Sequence, residues 1–387
     1  MATRRAGVLL VLLSVPVLLS SQWNLEPAID DRIQRGIDHI YNLEFYDADN
    51  LFDEVIQLSP DHPAGYFFRA MTQWWRILAE YDNETQDDRF YEMLEVVIEM
   101  CDERLEADPD DITALFFKGG SLGFRGRLRA NRGNWFGAAR DGLAALPIVQ
   151  QAYKLDPENY DVLLGIGIYN FYASVIPDEY PIVKPFMIFF PSGDRQKGIL
   201  QLRLASERAR YAKTEAKYFL MQSHFQYEKQ HMISLDLARE LNKRYPRNPV
   251  FLRYVGRCQI ALGVLDEAFR IFSEVLRRYT ERQVGFDRYD AREAYYYVGK
   301  HFFTLGKIEE SFQNFLRCDE LSRTIDKDGA SGFMSMANLY IGMIHDLRNE
   351  RDHALGQYRK VLRMKEYENT YRDARRYVEK PYRGPGQ

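Results

Sequence analysis

The stretch LRYVGRCQIALGVLDEAFRIFSEV, Leu252 to Val275, reads as two short amphipathic helices separated by Gly263. Gly256 is followed twelve positions on by a small residue, Ala268, and four beyond that by an aromatic, Phe272. The same triplet recurs at Gly36/Ala48/Phe52, Gly299/Ser311/Phe315 and Gly342/Ala354/Tyr358. The three later glycines lie 43 residues apart, a spacing found in helical solenoids. Each copy predicts a pair of antiparallel helices. The glycine sits where a neighbouring backbone comes close, the small residue marks the crossing on the second helix, and the aromatic fills the space beside it.

Outward from that stretch, the breakers bracket further pairs. Asp61-His62-Pro63, Asp108-Pro109-Asp110, Asp156-Pro157-Glu158 and Asn248-Pro249 each precede an apolar-periodic segment. Asp or Asn caps a helix there, and proline fits its first turn. Pairs are expected from Asp31 to Leu58, Ala64 to Glu106, Ile112 to Leu155, Tyr160 onward with an interruption after Ile176, Thr214 to Arg244, Val250 to Tyr279, Ala291 to Leu321 and Phe333 to Met364. A last helix from Thr370 to Glu379 caps the array. About eight pairs fill residues 22–387 as one continuous superhelix, since neighbouring repeats bury one another's faces.

A formal net charge of −4 gives no reason to expect nucleic acid, whose binders concentrate positive charge. Cys101, Cys258 and Cys318 are far apart on apolar helical faces and read as buried thiols. The seven histidines are scattered, with no acid at ligand spacing, so no metal or other cofactor is expected. The N-terminus carries a basic Arg4-Arg5, an apolar run from Gly7 to Leu19 and a small-residue exit at Ser20-Ser21-Gln22. That is the pattern of a signal peptide over residues 1–21, cut near Ser21, and it implies export to the periplasm or cell envelope. Leu19 is large for the position it would hold at the cut, which leaves an uncleaved anchor as the alternative.

Two regions depart from a plain repeat. Residues 119–142, GGSLGFRGRLRANRGNWFGAARDG, hold Arg125, Arg127, Arg129, Arg132 and Arg140 against one acid, Asp141. Arginine forks in such density form an anion or partner patch, or pair with acids on neighbouring helices such as Glu95, Glu99 and Glu103. The same segment contains a literal G-x-S-x-G around Ser121. A hydrolase would need that serine on a strand-to-helix turn, and the surrounding pattern is helical, so no enzyme is expected. The second departure is the insertion 177–193, whose four prolines disfavour regular structure. Its apolar run 185–190, with Phe186, Ile188, Phe189 and Phe190, either folds back over the superhelix or touches a partner or membrane surface.

The offsets around Leu252, Val255-Gly256, Gly263, Ala268, Phe272 and Val275 resemble those of tetratricopeptide-repeat (TPR) proteins, as do those around Tyr295, Val298-Gly299 and Phe315. The resemblance implies an all-α, TPR-type α-solenoid, a right-handed superhelix whose concave face is lined by first helices and holds a protein partner. Mapped onto this chain, that face comprises Arg253, Arg257, Ile260, Tyr296, Lys300, Phe303, Leu339 and Met343, with Phe219 further up the chain. Such a mixture suits a partner segment with acidic and apolar residues. The second half, through Phe190-Pro191-Ser192-Gly193-Asp194, Thr214-Glu215-Ala216 and Glu379-Lys380-Pro381-Tyr382, is similar to a group of exported bacterial TPR proteins of undefined role. What these patterns imply together is a non-enzymatic exported scaffold. The alternative is a membrane-associated envelope component that uses residues 185–190.

Overall fold

The structure is a computed structural model that describes residues 25–179, 184–187, 191–327 and 329–384. The signal-peptide reading of residues 1–21 therefore lies outside the described residues, as do Ile188, Phe189 and Phe190 and the side chain of Phe186. No strand occurs among the described residues, and eight helix pairs follow one another along the chain. They are α1 (Pro27–Tyr41) with α2 (Phe45–Leu58), α3 (Pro63–Ala79) with α4 (Asp87–Ala107), and α5 (Ile112–Asn131) with α6 (Trp135–Leu155). Then come α7 (Val162–Glu179) and α9 (Arg195–Arg208), separated by the single turn α8 (Lys184–Met187), and α10 (Lys213–Gln226) with α11 (His231–Arg244). The last are α12 (Pro249–Ala261) with α13 (Leu265–Thr280), α14 (Arg288–Thr304) with α15 (Ile308–Ile325), α16 (Gly332–Leu347) with α17 (Arg351–Val361), and the terminal α18 (Thr370–Glu379).

Within a pair, the sequence triplet does what its spacing implies. A Cβ added to Gly36 or Gly342 would stand 2.5 Å from the ring of Phe52 or Tyr358, and one on Gly256 2.9 Å from that of Phe272. Ala48, Ala268, Ser311 and Ala354 are fully buried at the crossings, and Ser311 Oγ also donates to the Gly299 carbonyl at 2.9 Å. The connecting turn is equally regular. Seven residues after the glycine the chain passes through the left-handed region, at Leu43 (φ 59°), Gly263 (φ 77°), Gly306 (φ 71°) and Asn349 (φ 61°). One residue later a backbone N–H closes onto the carbonyl three residues after the glycine, as in Glu44 to His39 at 2.9 Å and Val264 to Gln259 at 2.9 Å.

Pair three carries the same turn, which the sequence triplet does not reveal. Gly133 has φ 76° and the Asn134 N–H bonds the Arg129 carbonyl at 2.8 Å. Counting back, Gly126 is the repeat glycine and Ala138 the small crossing residue, while the aromatic is replaced by Gly142. The two helices approach backbone to backbone instead: a Cβ on Gly126 would stand 3.3 Å from the Ala138 carbonyl oxygen.

The pairs do not simply continue outward, because the first one docks on the fifth and sixth. Asp30 on α1 is buried, accepts from the Tyr211 hydroxyl at 2.5 Å and ion-pairs with Arg210. Asp38 accepts from Tyr245 Oη at 2.7 Å and from Arg244 at 2.9 Å, and Asn248 Nδ2 donates to the Tyr41 carbonyl at 2.9 Å. The Tyr41 ring lies 5.1 Å from that of Trp75 and 5.4 Å from that of Tyr245. Lower down, Asp82 after α3 bonds Arg288 and Tyr289 at the start of α14. A single apolar core therefore runs from Leu25 to Cys258.

The insertion begins later than its prolines suggest. Helix α7 passes Ile176 and includes Pro177 before ending at Glu179, and Pro185 sits in the one-turn α8. Pro177 forfeits one intrahelical hydrogen bond where only two residues follow, so little further helix is lost.

Two outcomes follow for stability. Gly342→Ala forces the new methyl into Tyr358 and costs about 1–3 kcal/mol, whereas Gly123→Ala on α5, where a Cβ would meet nothing within 4 Å, gains about 1 kcal/mol through helix propensity; urea midpoints for the two variants would move in opposite directions. Asp30→Ala leaves the buried Tyr211 hydroxyl short of an acceptor and weakens the docking of α1 by about 1–3 kcal/mol. Hydrogen exchange would then quicken in α1 while α16 and α17 keep their protection.

Candidate functional site

First helices line the inside of the turn. Helices α1, α3, α5, α7 and α10, with α6, line a half-open apolar chamber of about 610 Å³. Its wall is built from two kinds of residue. Aromatics come from α3 and its neighbours: Phe67, Phe68, Trp74, Trp75, Tyr172 and Phe219. Small residues come from α5 to α7: Gly120, Gly123, Ala130, Ala138, Gly142 and Gly165. On α5, Phe116, Gly120, Gly123, Arg127 and Ala130 recur at helical spacing, so one face of that helix presents little but backbone Cα to the interior. Gly142, which stands where four other pairs carry an aromatic, is part of the same wall.

One cation reaches the chamber. The Arg127 guanidinium lies 5.0 Å from the Trp74 ring centre and 4.8 Å from that of Phe219, and its Nη1 donates to Glu215 Oε1 at 3.2 Å. The other Glu215 oxygen accepts from the Tyr41 hydroxyl at 2.7 Å. Burial, followed by the Glu215 charge, raises the Tyr41 hydroxyl well above its ordinary range, so it stays a donor. Asp161, also at the wall, accepts the backbone N–H groups of Tyr211 and Ala212 at 2.8 and 2.7 Å and so anchors the entry to α10.

Arg125, Arg129 and Arg132 of the 119–142 segment are engaged by acids within the protein, while Arg140 is exposed. Arg125 binds Glu95 at 2.5 Å and Asp141 at 2.9 Å, and Arg129 binds Asp141 at 2.5 Å. Arg132 donates to both Asp87 oxygens, at 2.7 and 3.1 Å, and to the Tyr81 carbonyl at 2.7 Å. Asp141 is buried, so it needs both of its cations. Of the acids expected as partners only Glu95 serves, and Asp87, Asp141 and Glu215 arrive through the fold.

The expected ligand-facing set of the later pairs divides. Arg253 ion-pairs with Asp290 at 2.6 Å and with Glu293 at 3.3 Å, and Arg257 grips both Glu293 oxygens at 2.5 and 2.7 Å. Burial pushes Asp290 up to about 7 while Arg253 pulls it down; Glu293, also burdened by burial, is held below its usual value by Arg257. Tyr296 is 7% exposed, walled in by Phe333 and Tyr340. Leu339 and Met343, 4% and 8% exposed, are covered by α18 and Tyr382, which also packs on Phe303. Tyr296, Leu339 and Met343 are therefore not presented to a partner, and Arg253, half-buried, is already held by two acids. An end repeat must cover its own apolar face, and the cap here uses the surface expected to bind. Arg257, Ile260, Lys300 and Phe303 remain partly exposed, and Lys300 has no ion pair among the described residues.

Ser121 is buried in the middle of α5, far from the strand-to-helix turn that a nucleophile elbow requires. The three cysteines are buried and free, and burial lifts Cys101 and Cys318 to about 12. The histidines hold one surprise: His345, Glu350 and His353 bring ligand atoms within 4.8 Å of one another, as do His39, Glu44 and Asp47. Both sets sit on a repeat turn, where His345 Nδ1 meets Glu350 Oε2 at 2.6 Å and His39 Nδ1 meets Glu44 Oε2 at 2.6 Å. The equal register explains them as fasteners between the end of one helix and the residue that starts the next. No helix among the described residues is long and apolar enough to cross a membrane.

No protein-family model and no curated protein sequence matches the chain. Solved structures do. A chain of the APC/C hetero-tetramer Cut9–Hcn1 superposes with a TM-score of 0.53 at 12% identity, covering 89% of this chain and 54% of that one. The chain thus spans about half the length of that relative. The human IFIT1 dimer with m7Gppp-AAAA superposes with a TM-score of 0.43 at 12% identity over 93% of this chain and 89% of that one. Yeast Tom70 superposes with a TM-score of 0.39 at 10% identity, over 88% and 86%. Identities this low speak for fold alone, and the first of these superpositions with the eight helix pairs establishes a TPR-like α-solenoid.

Proposed function

We propose that this chain is a non-enzymatic interaction scaffold, exported to the periplasm or cell envelope, that binds a protein partner along the inner face of its later pairs. The observation that carries the reading is one of register. Arg257 and Ile260 on α12 and Lys300 and Phe303 on α14 occupy equivalent positions, one and four residues after their repeat glycines, and all four stay partly exposed. Successive first helices thus repeat a cation beside an apolar anchor. Because Glu293 already neutralises Arg257, the surface suits a partner segment that supplies apolar anchors and an acid opposite Lys300 rather than a strongly acidic tail. Export is supported by Arg4-Arg5, the apolar run Gly7 to Leu19 and the small residues before Gln22.

In-cell crosslinking of the tagged chain from separated envelope fractions tests the binding surface. The double variant Ile260→Glu with Lys300→Glu should lose the dominant crosslinked protein. Because Ile260 packs on the edge of the core around Phe272, Lys300→Glu alone should weaken the crosslink while melting like the parent, and an unchanged set of crosslinked proteins in both variants would sink the reading. Sequencing the N-terminus of the same material tests export separately. A mature start near Gln22 is expected, and an intact Met1 or Ala2 would count against cleavage.

A further inference from the structure

The chamber inside the first five pairs lies apart from the face assigned above to a protein partner, and its chemistry asks for a different occupant. We propose that it is a binding site for a single acyl chain, with the oxygen-bearing end of the lipid at Arg127. Three observations carry this. The volume, about 610 Å³, falls among those of small-molecule sites. The wall is aromatic on one side and glycine-lined on the other, so a slender apolar molecule meets rings on one flank and bare helix on the other. The third concerns hydrogen bonding, and it argues against an extended peptide.

Most of the wall is helix, whose backbone N–H and C=O groups are spent within the helix itself; Asp161, Tyr211 and Ala212 lie in connections between helices. Of the polar side chains at the wall, Asp161 holds the N–H groups of Tyr211 and Ala212, Glu215 holds Tyr41 and Arg127, and Gln222 donates to the Tyr218 hydroxyl at 2.9 Å, while the buried Trp74 Nε1–H has no partner among the described residues. An extended peptide threaded here would bury more amides than these few groups can bond, which is costly at each unpaired residue. A hydrocarbon chain brings no such groups and gains from burial. Arg127 is the exception that fixes orientation. Among the described residues only its Nη1 is used, so Nε–H and Nη2–H remain to donate to a carboxylate or ester oxygen. Trp74 and Phe219 hold the guanidinium in place for that contact.

Fluorescence titration of the full purified chain with a dansyl-labelled undecanoate, followed by displacement with oleate, measures the site directly. Saturable binding of one probe per chain, displaced by oleate, is expected. Gly123→Phe fills the chamber from a position where the added side chain meets no atom within 4 Å of its Cβ, and it should weaken binding by roughly tenfold or more. Arg127→Met should weaken oleate more than its methyl ester, which separates the head contact from chain burial. The Ile260→Glu, Lys300→Glu variant should bind the probe as the parent does, so loss of a protein partner and loss of the lipid site are told apart. Should Gly123→Phe fail to fold, photolabelling of the unaltered chain with a diazirine-bearing palmitate decides the matter. Label on the wall helices α1, α3, α5, α6, α7 or α10 upholds the site, while label confined to α11 to α18, or probe that oleate does not displace, overturns it.

Discussion

A carboxylate row on the first helix holds the molecule closed. Asp30 and Asp38 on α1, with Tyr41 between the rings of Trp75 and Tyr245, meet Arg210, Tyr211, Arg244 and Tyr245 from the far side of a turn of the solenoid. An ordinary solenoid is stabilised by contacts between successive repeats alone. Here a seam joins elements about half the chain apart, and it fixes which surfaces become interior. The inner faces of α1, α3, α5, α7 and α10 would form an open groove without it. With it they line a chamber.

The chamber in turn depends on where bulky residues were withheld. Four pairs set an aromatic against the repeat glycine, and the ring fills the space between the two helices. In pair three that ring is missing at Gly142, the helices close up on one another, and α5 turns Gly120 and Gly123 inward. The arginines of this segment are accounted for by the same geometry. Arg125, Arg129 and Arg132 tie α5 to α4 and α6 on the outside through Glu95, Asp141 and Asp87, which leaves Arg127 on the inward face.

How much of this was legible in the sequence follows from the range of each interaction. The repeat was readable because Gly36 and Phe52, or Gly342 and Tyr358, are sixteen residues apart within one hairpin and belong to residue types with few substitutes. The breakers bracket pair three correctly at Ile112 to Leu155, but its triplet escapes because the aromatic that marks the repeat is replaced by Gly142. The seam left no local trace: Asp30, Asp38 and Tyr245 look like helix-surface residues until the chain returns to them. Part of the expected partner face, Tyr296, Leu339 and Met343, is covered for a related reason. Family offsets identified positions on first helices correctly, but not whether the next repeat, the cap or an acid such as Glu293 already covered them. Phe219 and Arg127 were both singled out, for unconnected reasons, and only the fold brings them to one wall.

Closure and occupancy of such a chamber are linked. An apolar space bounded by α1 on one side and α10 on the other keeps its shape only while the Asp30 and Asp38 contacts hold. A molecule that binds the closed form and not the open one stabilises the seam by mass action, in proportion to the logarithm of its concentration over its dissociation constant. The converse also holds, since anything that loosens α1 weakens binding inside. The later pairs, α12 to α17, share the contact through Asn248 with Tyr41 and through Asp82 with Arg288 and Tyr289. The face assigned to a protein partner and the chamber therefore rest on the same docking of the first pair. A change at one reaches the other only through that docking, because no side chain belongs to both.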